Sequence, residues 1–465
     1  MVEKSKTGSV QKRSAKKTAR SSLEKTLRKH LFREAVEEDI AGLTNTDIDL
    51  LVERAKEFLD VKAPGRVKIR IADTGVSDGI LAQRSVLEIL NDDMPFLVDS
   101  VINALSTNGH TVHTVLHPVF ASERDSRGKL KTLDNSKKQS GNFLRESYLH
   151  IHLEALNSKR EQDELVSELS DILDEIRAAV VDWQPMQHVI QGRIEQLRTK
   201  ASPLPTAIVS ETIDFLSWLL NNKFTFLGMC QYNLGKKGGK KQMLADEKSS
   251  LGVLRLQRRQ VIQNAAKRDL SNYKSGYAIV VEKSDLVSRV HRSAVMDYVG
   301  LYDFDQAGNV VGELRVVGLF ASTAYTEAAS GIPLLRRRIE AVMALSGFTP
   351  SGHSGKGLLN ILETMSRDDL FQIESEQLAP LAMGMWRLHE RPRTRVFVRL
   401  DRFERYAIAF VFFPRDGFSS DLREKAGAIL EKHYQGKTLE FMPNFGEGTL
   451  VRVRFIISLG VSAKS

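Results

Sequence analysis

Residues 91–101, NDDMPFLVDSV, constrain the chain more than any other stretch, because a strand, a sharp turn and a helix have to meet within them. Val86, Leu87, Ile89 and Leu90 form an apolar run that Asn91, Asp92 and Asp93 end, and Pro95 brings a φ suited to a first helical turn. Asp92 or Asp93 is the expected N-cap. Beyond it Phe96, Leu97, Val101, Ile102 and Leu105 recur at helical spacing as far as Asn108-Gly109, so one apolar face can pack on the preceding strand.

The chain around this corner alternates between strand and helix periods. Leu31–Leu59 is expected as two short helices, the second opened by Thr46 or Asp47, and Arg66–Ile71 as a strand. Thr111–Phe120 is expected as one strand, the polar stretch from Ser126 to Gly141 as a long loop, and Tyr148–Leu153 as the returning strand. Leu165, Leu169, Ile172, Leu173 and Ile176 mark an amphipathic helix. Strand, helix, strand, strand, helix is a ferredoxin-like order. Trp183–Arg198 is a further helix, and Ser202-Pro203-Leu204-Pro205 is the best linker. The helix of Thr206–Leu220 runs into a strand at Phe224. Gly235–Lys241 lacks the spacing of a phosphate loop and is expected as a basic hairpin tip. Two strands flank Ala307-Gly308-Asn309, with a helix from Pro333. After Pro392, strands at Arg393–Leu400 and Ala407–Phe413, a helix over Ser419–Tyr434 and strands at Leu439–Phe445 and Leu450–Ser458 form a last unit. The expected organisation is a disordered basic tail over 1–30, then α/β units over 31–200, 206–350 and 351–465.

Composition narrows the function classes. The longest apolar runs are strand-sized, far short of the roughly 20 residues of a spanning helix, so no membrane partner is expected. A single cysteine, Cys230, excludes an intramolecular disulfide framework and a four-cysteine zinc site, and suits a reducing cytoplasm; it is expected as a core filler. The net charge is +9, but residues 1–30 hold ten Lys/Arg against two Asp/Glu. Of the totals of 67 basic and 58 acidic residues, the rest of the chain therefore carries 57 and 56. A nearly neutral body with a basic, aromatic-free tail makes a solvated tail the first expectation. An independent nucleic-acid-associated protein that uses this tail is the alternative.

Few residues carry chemistry. His110, His113, His117, His150 and His152 fall on two strands, but no carboxylate joins them at ligand spacing, and structural or ligand-contacting roles outrank a metal site. Residues 351–357, SGHSGKG, lack the first glycine and the Ser/Thr of a P-loop. No G-x-G-x-x-G follows a strand, and G-x-S-x-G and H-E-x-x-H do not occur. Arg289, His291, Arg292, Asp297, Glu313 and Arg315 form a charged set suited to an anion or, preferably, a domain interface. Glu363, Arg367, Asp368 and Asp369 suit helix caps and ion pairs.

Several motifs in order carry a family resemblance: NDDMPFLVDSV, HPVF and ERDSRGKL, then WLLNNKFTFLGMCQY, HRSAVMDYVG with GNVVGELRVVGLFASTAY, ETMSRDDLFQI, and FVRLDRFERYAIAFVFFPRD. Together they resemble the N-terminal region of the large bacterial NAD-specific glutamate dehydrogenases, enzymes far longer than this chain. The resemblance implies an α+β fold of tandem ACT-like, ferredoxin-like α/β sandwiches with intervening helices, and a regulatory and assembly role. It further implies a parent reaction that deaminates L-glutamate to 2-oxoglutarate with NAD. The family's catalytic lysine and aspartate lie in a separate C-terminal region and match no residue here, so no catalytic residue, metal or bound cofactor is expected, and NAD belongs to the parent enzyme. Implied partners are that catalytic region, a second copy of the chain and an amino-acid effector. Asp92, Asp93, Met94, Phe96, Asp99 and His117 are the expected ligand contacts, with the helix N-terminus near Asp93–Phe96 offering N–H groups to a carboxylate.

Overall fold

The computed structural model describes residues 24–33, 35–76, 79, 81–82, 84–134, 143–256, 278–401, 405–446 and 448–459. Two compact units result, one of residues 1–181 with 288–294 and one of 182–287 with 295–465. Both are α+β, built from antiparallel sheets and helices.

In the first unit the strands β1 (Lys68–Asp73), β2 (Arg84–Asp92), β3 (Val112–Leu116), β4 (Val119–Arg124), β5 (Leu130–Asp134) and β6 (Leu144–Glu154) form one sheet. Its order is β1-β2-β6-β4-β5, with β3 also on β6. Central strands β2 and β6 are buried on both faces; β2 reads as an apolar run broken at Glu88, while β6 alternates apolar residues with the buried His150 and His152. One face, carrying Leu90 and Tyr148, packs under helix α1 (Asn45–Leu59) through Leu51, Phe58 and Leu59. Leu87, Ile89, Leu149 and Ile151 alternate to the opposite face. Helices α2 (Leu97–Thr107) and α3 (Lys159–Val181) pack on each other and against strands β3 and β1.

Several expectations are corrected here. Residues 24–31 are helical, and Leu27 and Leu31, four apart on one face, are buried in the core under α1. The tail expected over 1–30 therefore ends sooner; residues 1–23 lie outside the described residues. Helix α1 is capped by Thr44, whose Oγ1 accepts from Asp47 N–H while Asp47 accepts from Thr44 N–H, so Asp47 closes a capping box instead of being the cap. Neither Asp92 nor Asp93 caps α2; Phe96 stands there in the left-handed region. The strand expected over Thr111–Phe120 is two, β3 and β4, separated at His117-Pro118, where proline brings no N–H to a ladder. Inside the expected loop, Gly128 at φ 79 closes a turn that leads into β5, while residues 135–142 lie outside the described residues.

The second unit opens with α4 (Trp183–Thr199) and α5 (Thr206–Trp218) and has two sheets. One is ordered β10-β11-β12-β7-β8, from β7 (Phe224–Lys237), β8 (Lys240–Ala245), β10 (Ile279–Ser288), β11 (Ala294–Phe304) and β12 (Val310–Phe320), with the short β9 (Leu251–Gly252) on β7. Gly238 and Gly239, both at positive φ, make the tip of the β7–β8 hairpin. The other sheet, β13-β14-β16-β15, joins β13 (Arg395–Leu400), β14 (Tyr406–Pro414), β15 (Lys437–Asn444) and β16 (Leu450–Ser458). Helix α10 (Ser420–Tyr434), capped by Ser419, packs on one face through Leu422, Ala426 and Leu430. The other face, with Phe410 and Phe412, shares a core with α6 (Leu335–Ser346), α7 (His353–Thr364), α8 (Arg367–Gln372) and α9 (Ser375–Glu390). Phe320 stacks on Phe371 at 5.4 Å inside that core. Among the described residues no helix is long and apolar enough to cross a membrane.

Candidate functional site

The first turn of α2 is where two separate groups of sequence-flagged residues meet. Phe96 holds φ 72 and precedes the helix without a side-chain cap; Ser100 Oγ donates to its carbonyl at 2.6 Å. The turn between β10 and β11, which belongs to the first unit, brings His291 against it. His291 is also left-handed, at φ 69. Its N–H donates to Ser100 Oγ at 2.9 Å, Asn103 Nδ2 donates to its carbonyl at 2.8 Å, and its Nδ1 lies 3.2 Å from Asp99 Oδ2. The Phe96 and His291 rings sit 5.2 Å apart. Two residues before it, Arg289 reaches the buried Glu175 of α3 through Nη2 at 2.5 Å and Nε at 3.2 Å, which holds the guanidinium charge more firmly. Two non-glycine residues in the left-handed region face each other, a conformation that persists only where surrounding contacts over-determine it.

The other expected contacts have their own partners. Asp92 pairs with Lys62 at 2.6 Å and Arg177 at 3.0 Å. Burial alone would raise its carboxyl, but these two cations hold it below the usual range. Asp93 pairs with Arg145 at 2.9 Å, Met94 is half-buried, and His117 Nε2 lies 2.7 Å from Ser147 Oγ. Arg292 shares the turn with His291, its N–H on Val290 O.

On the α1 side of the sheet a chain of buried polar groups runs from β2 along β6. Tyr148 Oη lies 2.8 Å from Glu88 Oε1 and 3.0 Å from His150 Nδ1, and His150 Nε2 lies 3.0 Å from His152 Nε2. The hydroxyl has one proton and gives it to the carboxylate, so His150 donates from Nδ1 and its bare Nε2 accepts from His152. Both imidazoles are thereby neutral and of fixed tautomer. Burial depresses both, His152 to about 4 and His150 well below its ordinary value. Arg54 Nε at 3.3 Å and Arg70 Nε at 2.7 Å complete the shell of Glu88. His150 and His152 share a face as their spacing requires, whereas His117 pairs with Ser147 instead of joining them. Among the described residues no group of three or more His, Cys, Asp or Glu is placed to hold a metal ion.

Asp297, Glu313 and Arg315 are internal to the second unit. Lys283 Nζ bridges Asp297 at 2.6 Å and Asp368 at 3.0 Å; burial pushes Asp297 up to about 6 despite that ammonium. Arg315 Nε pairs with Glu313 at 2.8 Å and stacks 3.8 Å over the Tyr232 ring, while Tyr298 hydrogen-bonds Glu313. Lys283, Glu88 and Tyr148 were missed by sequence reasoning. Charges set into apolar strands, as in SVLEIL and AIVVEKS, are the signal that marks Glu88 and Lys283.

The described arrangement supplies bound turns and paired charges suited to holding conformations. Three family descriptions match: the ACT1 domain of glutamate dehydrogenase over residues 27–169, its helical motif 1 over 332–391, and its ACT2 domain over 395–464. The chain is 34% identical to the NAD-specific glutamate dehydrogenase of Halomonas elongata over 92% of its own length and 27% of the relative's. For the enzyme of the same name from Pseudomonas aeruginosa the figures are 33%, 82% and 24%, and for that from Mycobacterium tuberculosis 23%, 80% and 22%. The chain thus spans about a quarter of the length of these relatives. It belongs to the NAD-specific glutamate dehydrogenase family, as the region that carries the ACT1 domain, the first helical motif and the ACT2 domain.

Proposed function

We propose that this chain is the regulatory and assembly portion of a cytoplasmic NAD-specific glutamate dehydrogenase, working through α/β modules over 31–200, 206–350 and 351–465. The reaction it serves converts L-glutamate, NAD and water to 2-oxoglutarate, ammonium, NADH and a proton, with the chemistry and NAD held by a catalytic region outside this stretch. Catalysis is not assigned to this chain, and homo-oligomerisation is its expected assembly mode.

The observation that carries the reading is the doubly left-handed contact of Phe96 with His291. An effector carboxylate at the uncapped first turn of α2 competes with Asp99 for the His291 ring and takes the Ser100 hydroxyl and Asn103 amide donors that hold this turn. Because the turn joins β10 to β11, releasing it alters two strands of the second sheet. Differential binding to the held and released turn is the coupling that regulation requires. Asp92, Asp93 and Met94 lead into the same turn, His117 remains an expected ligand contact beside them, and Arg289 and Arg292 supply positive charge on the turn that carries His291.

The test is native purification of the chain from its source cells, sizing every polypeptide recovered and assaying glutamate-dependent reduction of NAD. Activity that tracks a larger or second polypeptide supports the reading. Turnover by the 52.2 kDa chain alone overturns it.

A further inference from the structure

The strands that end the three sheet orders are β1, β5, β8, β10, β13 and β15, and five of them are guarded against pairing with another chain. On β1, Arg54 holds the Ala72 and Asp73 carbonyls at 3.1 and 2.8 Å, and on β5 the Leu130 N–H goes to Asp60 O. The Lys283 carbonyl of β10 accepts from Arg405, and β8 carries the exposed Lys241. Strand β15 has a register shift after Thr438 and contains Pro443, which brings no N–H. Capped carbonyls, lysines, bulges and prolines are the devices that keep an edge from acting as a template. Strand β13, RVFVRL, has none of them: it contains no lysine, proline or bulge, and among the described residues no hydrogen bond reaches its outer edge.

That edge is apolar as well as open. Asp401 N–H donates to Tyr406 O at 2.9 Å, so Asp401 faces β14. Antiparallel alternation then turns the N–H and C=O of Leu400, Val398 and Val396 outward. Their side chains lie opposite Ala407, Ala409 and Val411, on the face where α10 packs. Helix α10 lies over β15 and β16, and Val396, Val398 and Leu400 stay 47%, 38% and 49% exposed. Phe397 and Arg399 take the other face, where Arg399 pairs with Asp369.

The edge is also complementary to itself. Antiparallel pairing about a two-fold axis at Val398 sets Val398 against Val398, and Val396 against Leu400 of the second copy. All three outward residues then exchange both main-chain hydrogen bonds. On the other face the same register sets Phe397 against Arg399, and Arg395 against Asp401, so an aromatic ring and a carboxylate meet the cations. Among the described residues no carboxylate of its own chain lies within ion-pair distance of Arg395. Neighbouring registers lack this match. With the axis at Phe397, Arg395 would face Arg399; at Arg399, that guanidinium would face its own counterpart; at Val396, Arg393 would face Arg399. With the axis at Leu400, Val396 and Val398 would face no strand.

We propose that two copies of this chain pair antiparallel through β13, about a two-fold axis at Val398, and join their four-stranded sheets into one. The interface is isologous, and a single self-complementary strand suffices to close it. Main-chain pairing supplies affinity, and the valine and leucine side chains fix the register. The pairing deepens the assembly part of the proposed function by naming its surface and its partner, and rests on that reading only for its role in the enzyme.

Sedimentation equilibrium of the full chain from about 1 to 100 µM tests it. The wild type is expected to move from 52.2 kDa toward twice that mass as concentration rises. Val398→Asp brings two carboxylates together at the axis and is expected to weaken dimerisation at least about tenfold. Val398→Pro removes only the outward N–H and is expected to weaken it similarly, with far-UV circular dichroism retained, because an edge strand tolerates proline where its N–H faces out. Val398→Lys is expected to be monomeric too. An equimolar mixture of the Val398→Asp and Val398→Lys chains is expected to regain the dimer, because the axis places position 398 against itself; that recovery separates a lost contact from a lost fold. The assignment is overturned if the wild type stays at 52.2 kDa up to about 100 µM, which would give the edge to a strand of another polypeptide. It is equally overturned if Val398→Asp dimerises as the wild type does, or if the mixture stays monomeric. A monomeric wild type leaves the regulatory reading standing, and a dimer that reduces NAD unaided sinks that reading while leaving the pairing.

Discussion

Arg454 donates from Nε to Asp369 Oδ2 at 2.6 Å with both side chains almost wholly out of solvent, at 6% and 0% exposure. Arg399 reaches the other carboxylate oxygen at 2.8 Å, and Ser366, the cap of α8, donates to Asp369 as well. Burial alone would raise the Asp369 carboxyl, but the two guanidiniums hold it far below the ordinary range. Its stabilisation is therefore complete above the unfolded carboxyl value and is lost only in strong acid. Asp369→Asn leaves two buried guanidiniums facing a neutral amide, and is expected to destabilise the chain by about 3–5 kcal/mol in urea unfolding at neutral pH. A loss below about 1 kcal/mol would show that water reaches the site.

What local sequence dictates was legible, and what distant contacts dictate was not. The period of Phe96, Leu97, Val101 and Leu105 places α2 correctly, and Asn108-Gly109 ends it with Gly109 at φ 78. Its cap was misplaced because Phe96 is held left-handed by a ring 195 positions later, for which no local signal exists. Strand β5 went unseen because its residues alternate weakly and gain their partner only from β4. The site residues Phe96, Asp99, Arg289 and His291 were each flagged by type, yet their meeting belongs to tertiary packing.

The Arg289–Glu175 pair is expected to be a working part of the turn that carries His291. Glu175 is 4% exposed and Arg289 37% exposed, so the pair is partly desolvated. A double-mutant cycle with Arg289→Ala and Glu175→Gln, read by urea unfolding, is expected to give a coupling energy of about 1–3 kcal/mol. Arg289→Lys is expected to recover less than half of it, because an ammonium cannot make both contacts of the fork. Zero coupling would mean that the turn is held by His291 alone.

Gly318 sits where β12 shifts register against β7. A Cβ there would fall 2.1 Å from the Thr225 carbonyl oxygen and 2.5 Å from the Phe224 ring, and the first of these is backbone that cannot step aside. Gly318→Ala is expected to cost about 1–3 kcal/mol and to lower the thermal midpoint accordingly. An unchanged midpoint would mean that the strand can slide past the bulge.

His150 and His152 make the stability of the first unit depend on mild acid. Facing them are Glu88 and Tyr148 on the same sheet face, the cations Arg54, Arg70 and Arg84, and His113. Unfolded, each imidazole takes a proton near 6.5; folded, burial holds His152 at about 4 and His150 lower still. Between those values the unfolded chain binds protons that the folded chain does not, so stability falls as pH drops from 6.5 toward 4. His152 alone is expected to contribute a loss of about 3 kcal/mol over that window. His152→Gln retains an N–H donor for His150 Nε2 but has nothing to titrate, so its stability is expected to change less across the window than that of the wild type. Urea midpoints of both proteins at pH 6.5 and 4.5 decide the matter, because carboxylates that titrate lower are common to both and cancel. Equal slopes would mean that His152 is not held neutral by the chain that runs from Glu88.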